Sequence, residues 1–135
     1  MKKTLTIILL LTCSILFSQD ITGKWKVIIY EDDVAYYNQK TDSISYKTST
    51  KSEYSENFKN ENESYFSTVL EFDKNKNYII DTGGKKGKAK YEIDSKNGKI
   101  KFIWPNGNTE TRNFKYENQI LTIEIDLYKL GMMRF

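Results

Sequence analysis

The sequence contains no histidine, and its one cysteine, Cys13, lies near the amino terminus. The absence of histidine excludes a histidine general base, the Ser-His-Asp and Cys-His nucleophile systems, and the usual zinc and copper ligand sets. No catalytic set is complete in the residues that remain. The sequence therefore predicts a non-catalytic protein, with neither a cofactor nor a metal site.

The chain also lacks a strong excess of charge of either sign. Its formal net charge is +3 at pH 7, and this falls to about +1 if Lys2 and Lys3 are removed with the amino-terminal segment. A basic field of the kind that attracts nucleic acid is missing. We therefore expect no nucleic-acid partner.

The amino-terminal segment has the pattern of a secretory signal. Lys2 and Lys3 precede an almost wholly apolar run over 7–17, and the small residue Ser18 offers a cleavage site. The run is short for a membrane span, so no stable membrane insertion is expected after cleavage. These features predict a signal peptide, with a signal helix, over 1–18.

The remaining residues, 19–135, are enough for one domain with one core. Because a signal peptide directs export, we expect this domain to be secreted or periplasmic. Lipid anchoring at Cys13 is the alternative, since 10–13 loosely resembles a lipoprotein box. Against it, an apolar run continues beyond the cysteine.

The first segment after the signal predicts a β-strand over 21–30. Trp25, Val27 and Ile29 fall on one face by period-two alternation, which indicates a strand with one buried face. Gly23 lies two residues before the tryptophan, where a missing side chain allows a bend or a close approach of another segment.

From residue 65 onward, alternating segments are separated by turn residues about every ten residues. The strongest turn signal is Asn97-Gly98, because both residues tolerate the positive φ of a type I′ hairpin. One strand face is predicted to carry Phe66, Thr68, Leu70 and Phe72, and a later one Leu121, Ile123, Ile125 and Leu127. The last strand is predicted over 128–135, with a bend or bulge at Gly131. Seven or eight such strands form an antiparallel meander, and closure into a barrel would remove its edges.

Residues 34–64 are polar and rich in tyrosine, and they break this regular pattern. We predict one edge strand over 43–50 and a short helix or lid over 52–62, with Ser52 as its N-cap. A solvated insertion without regular structure is the alternative.

The tripeptide Gly23-Lys24-Trp25, the segment 70–72 before a turn, and the repeated hairpins resemble the small secreted lipocalin-like domains of bacteria. The resemblance implies an all-β, antiparallel up-and-down barrel of about eight strands, in which Trp25 plugs the closed end. It also implies that a late arginine, here Arg134, packs across the tryptophan ring.

Five aromatic residues lie on consecutive predicted strands: Tyr91, Phe102, Trp104, Phe114 and Tyr116. In a barrel they could line a cavity that binds a small apolar ligand, or they could fill a dry core. The first interpretation predicts a non-catalytic binding protein. The second predicts a protein–protein interaction or inhibitory module, with the tyrosine-rich segment 34–64 as its contact surface.

Three further motifs have both a functional and a structural interpretation. Residues 79–83, with Asp81 before Thr-Gly, resemble the catalytic loop of aspartic proteases. Residues 73–77 resemble the start of an EF-hand loop, but the glycine and glutamate of that motif are missing. Residues 83–88 combine glycine with lysine, as an anion-binding loop would. In each case ordinary turn chemistry explains the same residues, and we favour it.

Overall fold

A computed structural model describes residues 19–47 and 54–135. The predicted signal peptide, Cys13 and the predicted N-cap Ser52 lie outside these ranges. Within them, no helix is both long enough and apolar enough to cross a bilayer.

The described residues form ten strands and one helix. The strands are β1 (Gly23–Glu31), β2 (Ala35–Asn38), β3 (Ser43–Tyr46), β4 (Thr68–Phe72), β5 (Asn77–Thr82), β6 (Lys85–Asp94), β7 (Lys99–Ile103), β8 (Thr109–Glu117), β9 (Ile120–Ile125) and β10 (Tyr128–Arg134). The helix, α1 (Tyr54–Phe66), lies between β3 and β4 in the chain.

Eight of the strands, β1 and β4 to β10, form a closed antiparallel barrel, as the sequence predicts. Each strand from β4 to β10 pairs with the next along the chain, and β1 closes the barrel between β4 and β10. The first half of β1, Gly23 to Lys26, pairs with β4, whereas Ile29 to Glu31 pair with β2. The β2–β3 hairpin therefore pairs with the second half of β1, where the pairing with β4 has ended. This places the hairpin at the end of the barrel away from Gly23.

Strand β1 changes face halfway along its length. Trp25 and Val27 are fully buried, but the next inward residue is Tyr30, while Ile29 is only half-buried. The cause is a β-bulge at Ile28, the extra residue in the pairing with β10. The prediction that Ile29 shares the face of Trp25 is therefore wrong, because an inserted residue reverses the alternation that follows it.

The bulge lies in β1 and not at Gly131, although Gly131 is the residue of β10 that faces it. A Cβ atom built on Gly131 would lie only 2.8 Å from the Cβ of Ile29. Glycine is therefore required at this position because the bulged strand β1 approaches it closely. The irregularity predicted at Gly131 lies instead in β1, the strand that pairs with β10.

Helix α1 is longer than the predicted helix over 52–62, and β4 begins only at Thr68. Phe66 is therefore the last helical residue and not part of the β4 face. The spacing of Phe58, Asn62, Tyr65 and Phe66 follows the period of an amphipathic helix. Phe58 and Phe66 are buried by this arrangement.

Two further expectations are corrected in the hairpins. Leu127 lies in the turn between β9 and β10 and is 80% exposed, so it does not continue the inward face of β9. The glycine-rich segment 83–88 is mostly strand, because only Gly83 and Gly84 form the turn and β6 begins at Lys85. Both glycines have positive φ.

One end of the barrel is closed by Trp25. Its ring N–H donates a hydrogen bond of 2.8 Å to the carbonyl of Ile21. The guanidinium of Arg134 lies 4.7 Å from the ring centre on one side, and Tyr116 packs edge-on at 5.5 Å. A Cβ on Gly23 would come within 3.2 Å of the Arg134 Nε. Gly23, Trp25 and Arg134 therefore act as one packing unit at the closed end.

Candidate functional site

A partly open cavity of about 240 Å³ lies in the barrel, away from the Trp25 plug. Its walls come from six barrel strands, from Trp104 after β7 and from the last turns of α1. Its apolar lining is formed by Leu70, Ile80, Phe102, Trp104, Ile123, Ile125, Leu130 and Met132. Such side chains offer water few hydrogen-bond partners and favour an apolar occupant.

Tyr78 connects this cavity to the closed end of the barrel. Its ring lies 4.6 Å from Phe102 and 6.3 Å from Trp104, both of which line the cavity. On its other side it lies 5.2 Å from Phe72, which contacts Tyr91 edge-on at 5.1 Å. The aromatic residues thus form a continuous row that fills the closed end and stops at the cavity.

The cavity wall also contains an ion pair. Glu110 and Arg112 lie two residues apart on β8, so both point inward, and an Arg112 Nη2 to Glu110 Oε1 contact joins them. Arg112 Nη1 also lies 3.1 Å from the Oδ1 of Asp126, in the β9–β10 turn. The Arg112 side chain is 16% exposed and that of Asp126 is 83% exposed. The Glu110 side chain is 35% exposed. The partly buried Glu110–Arg112 pair is therefore neutral as a unit, and Asp126 adds a charge in contact with solvent.

Three tyrosines, Tyr65, Tyr78 and Tyr128, line the same cavity as the ion pair. Tyr128 stacks on Tyr30 with ring centres 5.5 Å apart, and Tyr65 of α1 lies 5.2 Å from Tyr128. Burial raises the pKa of Tyr128 to about 12, a hydrogen bond with Tyr65 adds to the shift, and Arg112 opposes it. Burial also raises the pKa of Tyr78, again opposed by Arg112. Both phenols are therefore neutral hydrogen-bonding groups at physiological pH.

Helix α1 is held against this end of the barrel by aromatic contacts. Phe58 lies 5.5 Å from Tyr30 of the barrel and 5.9 Å from Tyr37 of the β2–β3 hairpin. Phe66 lies 5.0 Å from Tyr37. These contacts fix the carboxyl-terminal turn of α1, so that Tyr65 becomes part of the cavity wall.

The structure separates the five aromatic residues predicted to line a cavity. Phe102 and Trp104 line it, whereas Tyr91, Phe114 and Tyr116 do not. All five lie on the predicted consecutive strands or directly after them, but positions along a strand differ in height within the barrel. Alternation gives the face of a residue and does not give that height.

The three aromatic residues outside the cavity belong to the packed part of the barrel. Tyr91 is buried, and its hydroxyl donates a hydrogen bond of 2.9 Å to the carbonyl of Asp73. Tyr116 packs against the Trp25 plug. Phe114 is buried on β8, two residues beyond Arg112.

Sequence reasoning missed Glu110 and Arg112. The signal was available, because the alternation of β8 places both in phase with the buried Phe114. Two charged residues on an inward phase are unusual, since buried charges need a partner. Each of them supplies the partner of the other.

The acidic motifs of the sequence are turn residues. Asp81 Oδ1 accepts the backbone N–H of Gly84 at 2.9 Å, and Lys86 Nζ lies 3.8 Å from its Oδ2. Asp73 accepts the backbone N–H of Asn77 at 2.8 Å, and hydrogen bonds from Asn77 lower the pKa of Asp73. Both carboxylates thus stabilise the turns in which they lie, as an ordinary turn interpretation expects.

Comparison with known proteins is informative at the level of structure. No protein-family model matches the sequence, and no curated protein matches it. The crystal structure of a lipocalin-like protein from Bacteroides uniformis aligns with a TM-score of 0.50 at 14% identity, over 85% of this chain and 98% of that one. The fold is lipocalin-like. A DUF4847 family protein from Bacteroides vulgatus aligns with a TM-score of 0.52 at 10% identity, over 90% of this chain and 96% of that one. At such identities the lipocalin-like likeness is one of fold alone.

Proposed function

We propose that this protein binds a small, mainly apolar molecule in the open end of its lipocalin-like barrel. The observation that supports the proposal best is the apolar cavity of about 240 Å³ beside a small number of polar groups. Binding sites for small molecules have this composition. The proposal also agrees with the fold, because eight-stranded barrels of the lipocalin type can hold one small ligand.

The size of the cavity limits the ligand. At ~30 Å³ for each water molecule in the liquid, the cavity corresponds to about eight waters. It is smaller than the ~300–1,000 Å³ of sites for drug-sized ligands. We therefore propose a compact ligand or a single medium-length alkyl chain.

The cavity argues against the alternative of a filled barrel that acts through segment 34–64. Two aromatic residues of that segment, Tyr37 and Phe58, also argue against it, because both are buried. They stabilise the position of α1 instead of forming an exposed surface for a protein partner.

The binding test uses the apolar fluorescent probe N-phenylnaphthylamine with the purified mature protein. We expect saturable binding of one probe per barrel. Ile125→Trp adds a large side chain at the half-buried rim of the cavity and should weaken probe binding about tenfold or more, because it fills the space. Thr111→Trp is the matched control, since it adds the same group to the exposed face of β8.

Two results would argue against a binding cavity: no saturable binding by the unmodified protein, or equal loss of binding in both tryptophan variants. Circular dichroism of each variant verifies that the barrel is folded.

We also propose, from the amino-terminal pattern, that the binding site operates outside the cytoplasm. The test is to express the full chain and to find a product that begins near Gln19 in the periplasmic or culture fraction. An uncleaved product in the cytoplasm would contradict this proposal.

A further inference from the structure

We infer that the ligand carries an uncharged polar head group that binds beside Glu110 and Arg112, with its apolar part in the cavity. This inference rests on the proposed function and specifies the chemistry of the same site. Its basis is the distribution of charge among the residues that line the cavity.

Among the residues that the structure describes, the cavity lining contains one cation and one anion, and each already neutralises the other. Arg112 contacts Glu110, and both side chains line the cavity. The second acidic partner, Asp126, is 83% exposed, so solvent screens its charge. The part of the cavity wall that the structure describes therefore offers a ligand no countercharge that is not already paired.

A charged head group would consequently be unfavourable with either sign. A carboxylate would approach Arg112 only beside Glu110, and an ammonium would approach Glu110 only beside Arg112. In both cases the head group would lose its hydration, and its attraction to one side chain of the pair would be offset by repulsion from the other.

An uncharged head group avoids this loss and still finds hydrogen-bond partners. Arg112 has donors beyond the two that contact acidic residues, and Glu110 has acceptor capacity beyond its one contact. The neutral phenols of Tyr78 and Tyr128, which also line the cavity, can donate or accept. Alcohols and primary amides match this set, because they too donate and accept.

The test is displacement of N-phenylnaphthylamine at neutral pH by four ligands with the same alkyl chain: decanol, decanamide, decanoate and decylamine. The chain is constant, so differences in affinity report the head group. We expect decanol and decanamide to displace the probe at concentrations about tenfold or more below those of both charged ligands.

Two variants test the role of the ion pair. Glu110→Gln leaves Arg112 paired only with the exposed Asp126 and should raise the affinity for decanoate relative to decanol about tenfold. Arg112→Gln should do the same for decylamine. The double variant carries both substitutions, so it removes both charges from the described cavity lining. It is the control and should keep the preference for uncharged ligands. The order in which the four ligands displace the probe is measured on the unmodified protein. That result therefore stands even if a variant folds poorly.

The possible failures are distinguishable. If the probe does not bind at all, the proposed function fails, and this inference fails with it. If the probe binds but decanoate or decylamine displaces it as well as decanol does, only the head-group inference is overturned. The same holds if none of the four ligands displaces the bound probe.

Discussion

Gly131→Ala should destabilise the barrel much more than a single methyl group would suggest. Gly131 is buried in β10, opposite the bulge of β1, and this pair of strands closes the barrel. An added Cβ would lie 2.8 Å from the Cβ of Ile29 and 3.1 Å from its Cδ1. The alanine therefore tests whether close approach at the bulge holds the barrel closed.

The magnitude follows from the distances. Carbon atoms pack favourably at ~3.5–4.0 Å, so the two Cβ atoms would be about 0.7 Å too close. A Cβ is fixed to the backbone and cannot rotate away, so β1 and β10 would have to separate. Overpacking of this kind costs about 1–3 kcal/mol, and we expect the upper part of that range, about 2–3 kcal/mol.

Urea unfolding, followed by tryptophan fluorescence and by circular dichroism, measures this loss. The midpoint should fall without a change in slope, because a change in slope would report an altered denatured state. Gly107→Asn is the control: Gly107 has a φ of +86° and no neighbour within 4 Å of an added Cβ. Asparagine adopts a positive φ more readily than most residues, so the free energy of unfolding should fall by no more than about 1 kcal/mol, from backbone strain without a steric clash.

A double-mutant cycle identifies the partner. In an Ile29→Gly background, Gly131→Ala no longer meets a Cβ, so its cost should fall to about zero or become a small gain in stability. An equal loss of stability in both backgrounds would refute the steric explanation. So would an unchanged urea midpoint for Gly131→Ala alone.

Three further predictions concern the two ends of the barrel. Arg134→Gln removes the guanidinium from the Trp25 ring and should cost about 1 kcal/mol in urea unfolding, with a shifted tryptophan emission; unchanged stability and emission would contradict this contact. Gly87→Ala would place a Cβ 2.9 Å from the Ile80 Cγ2, so the Ile80 side chain should turn into the cavity and weaken probe binding several-fold. An undiminished affinity for the probe would argue against this cavity as its binding site. The pKa of Tyr128 is raised to about 12 in the folded protein, so the unfolded chain loses this proton first, near pH 10. The free energy of unfolding should therefore keep this contribution below pH 10 and fall between about pH 10 and 12. Tyr128→Phe should make that fall with pH less steep, and an unaltered pH dependence would contradict the assignment.

The barrel itself was predictable because the sequence patterns that specify its strands and turns lie within short segments of the chain. Alternation in β6 to β9 and turn residues such as Asn97-Gly98 give strands, hairpins and antiparallel order without any knowledge of distant contacts. The bulge at Ile28 was not predictable in the same way. It depends on the pairing of β1 with β10, which brings Ile29 against Gly131 across about a hundred residues of sequence.

The candidate site was only partly predictable for a related reason. The sequence identifies Phe102 and Trp104 as inward aromatic residues, but their height in the barrel depends on strand tilt and register. The contact of Arg112 with Asp126 joins β8 to the β9–β10 turn, so neither segment alone reveals it. The carboxyl-terminal turn of α1 contributes Tyr65 to the wall, and that contribution depends on packing against the β2–β3 hairpin.

The most direct test of the central claim is an NMR titration of the isotope-labelled mature protein with decanol, read through backbone amides and tryptophan side chains. A ligand in the cavity predicts saturable shifts at the strand segments around Ile80, Ile123 and Leu130 and at the Trp104 side-chain N–H, with the Trp25 N–H little changed. Shifts confined to the outer face or to the β2–β3 hairpin, or no shifts at ligand saturation, would contradict binding inside the barrel.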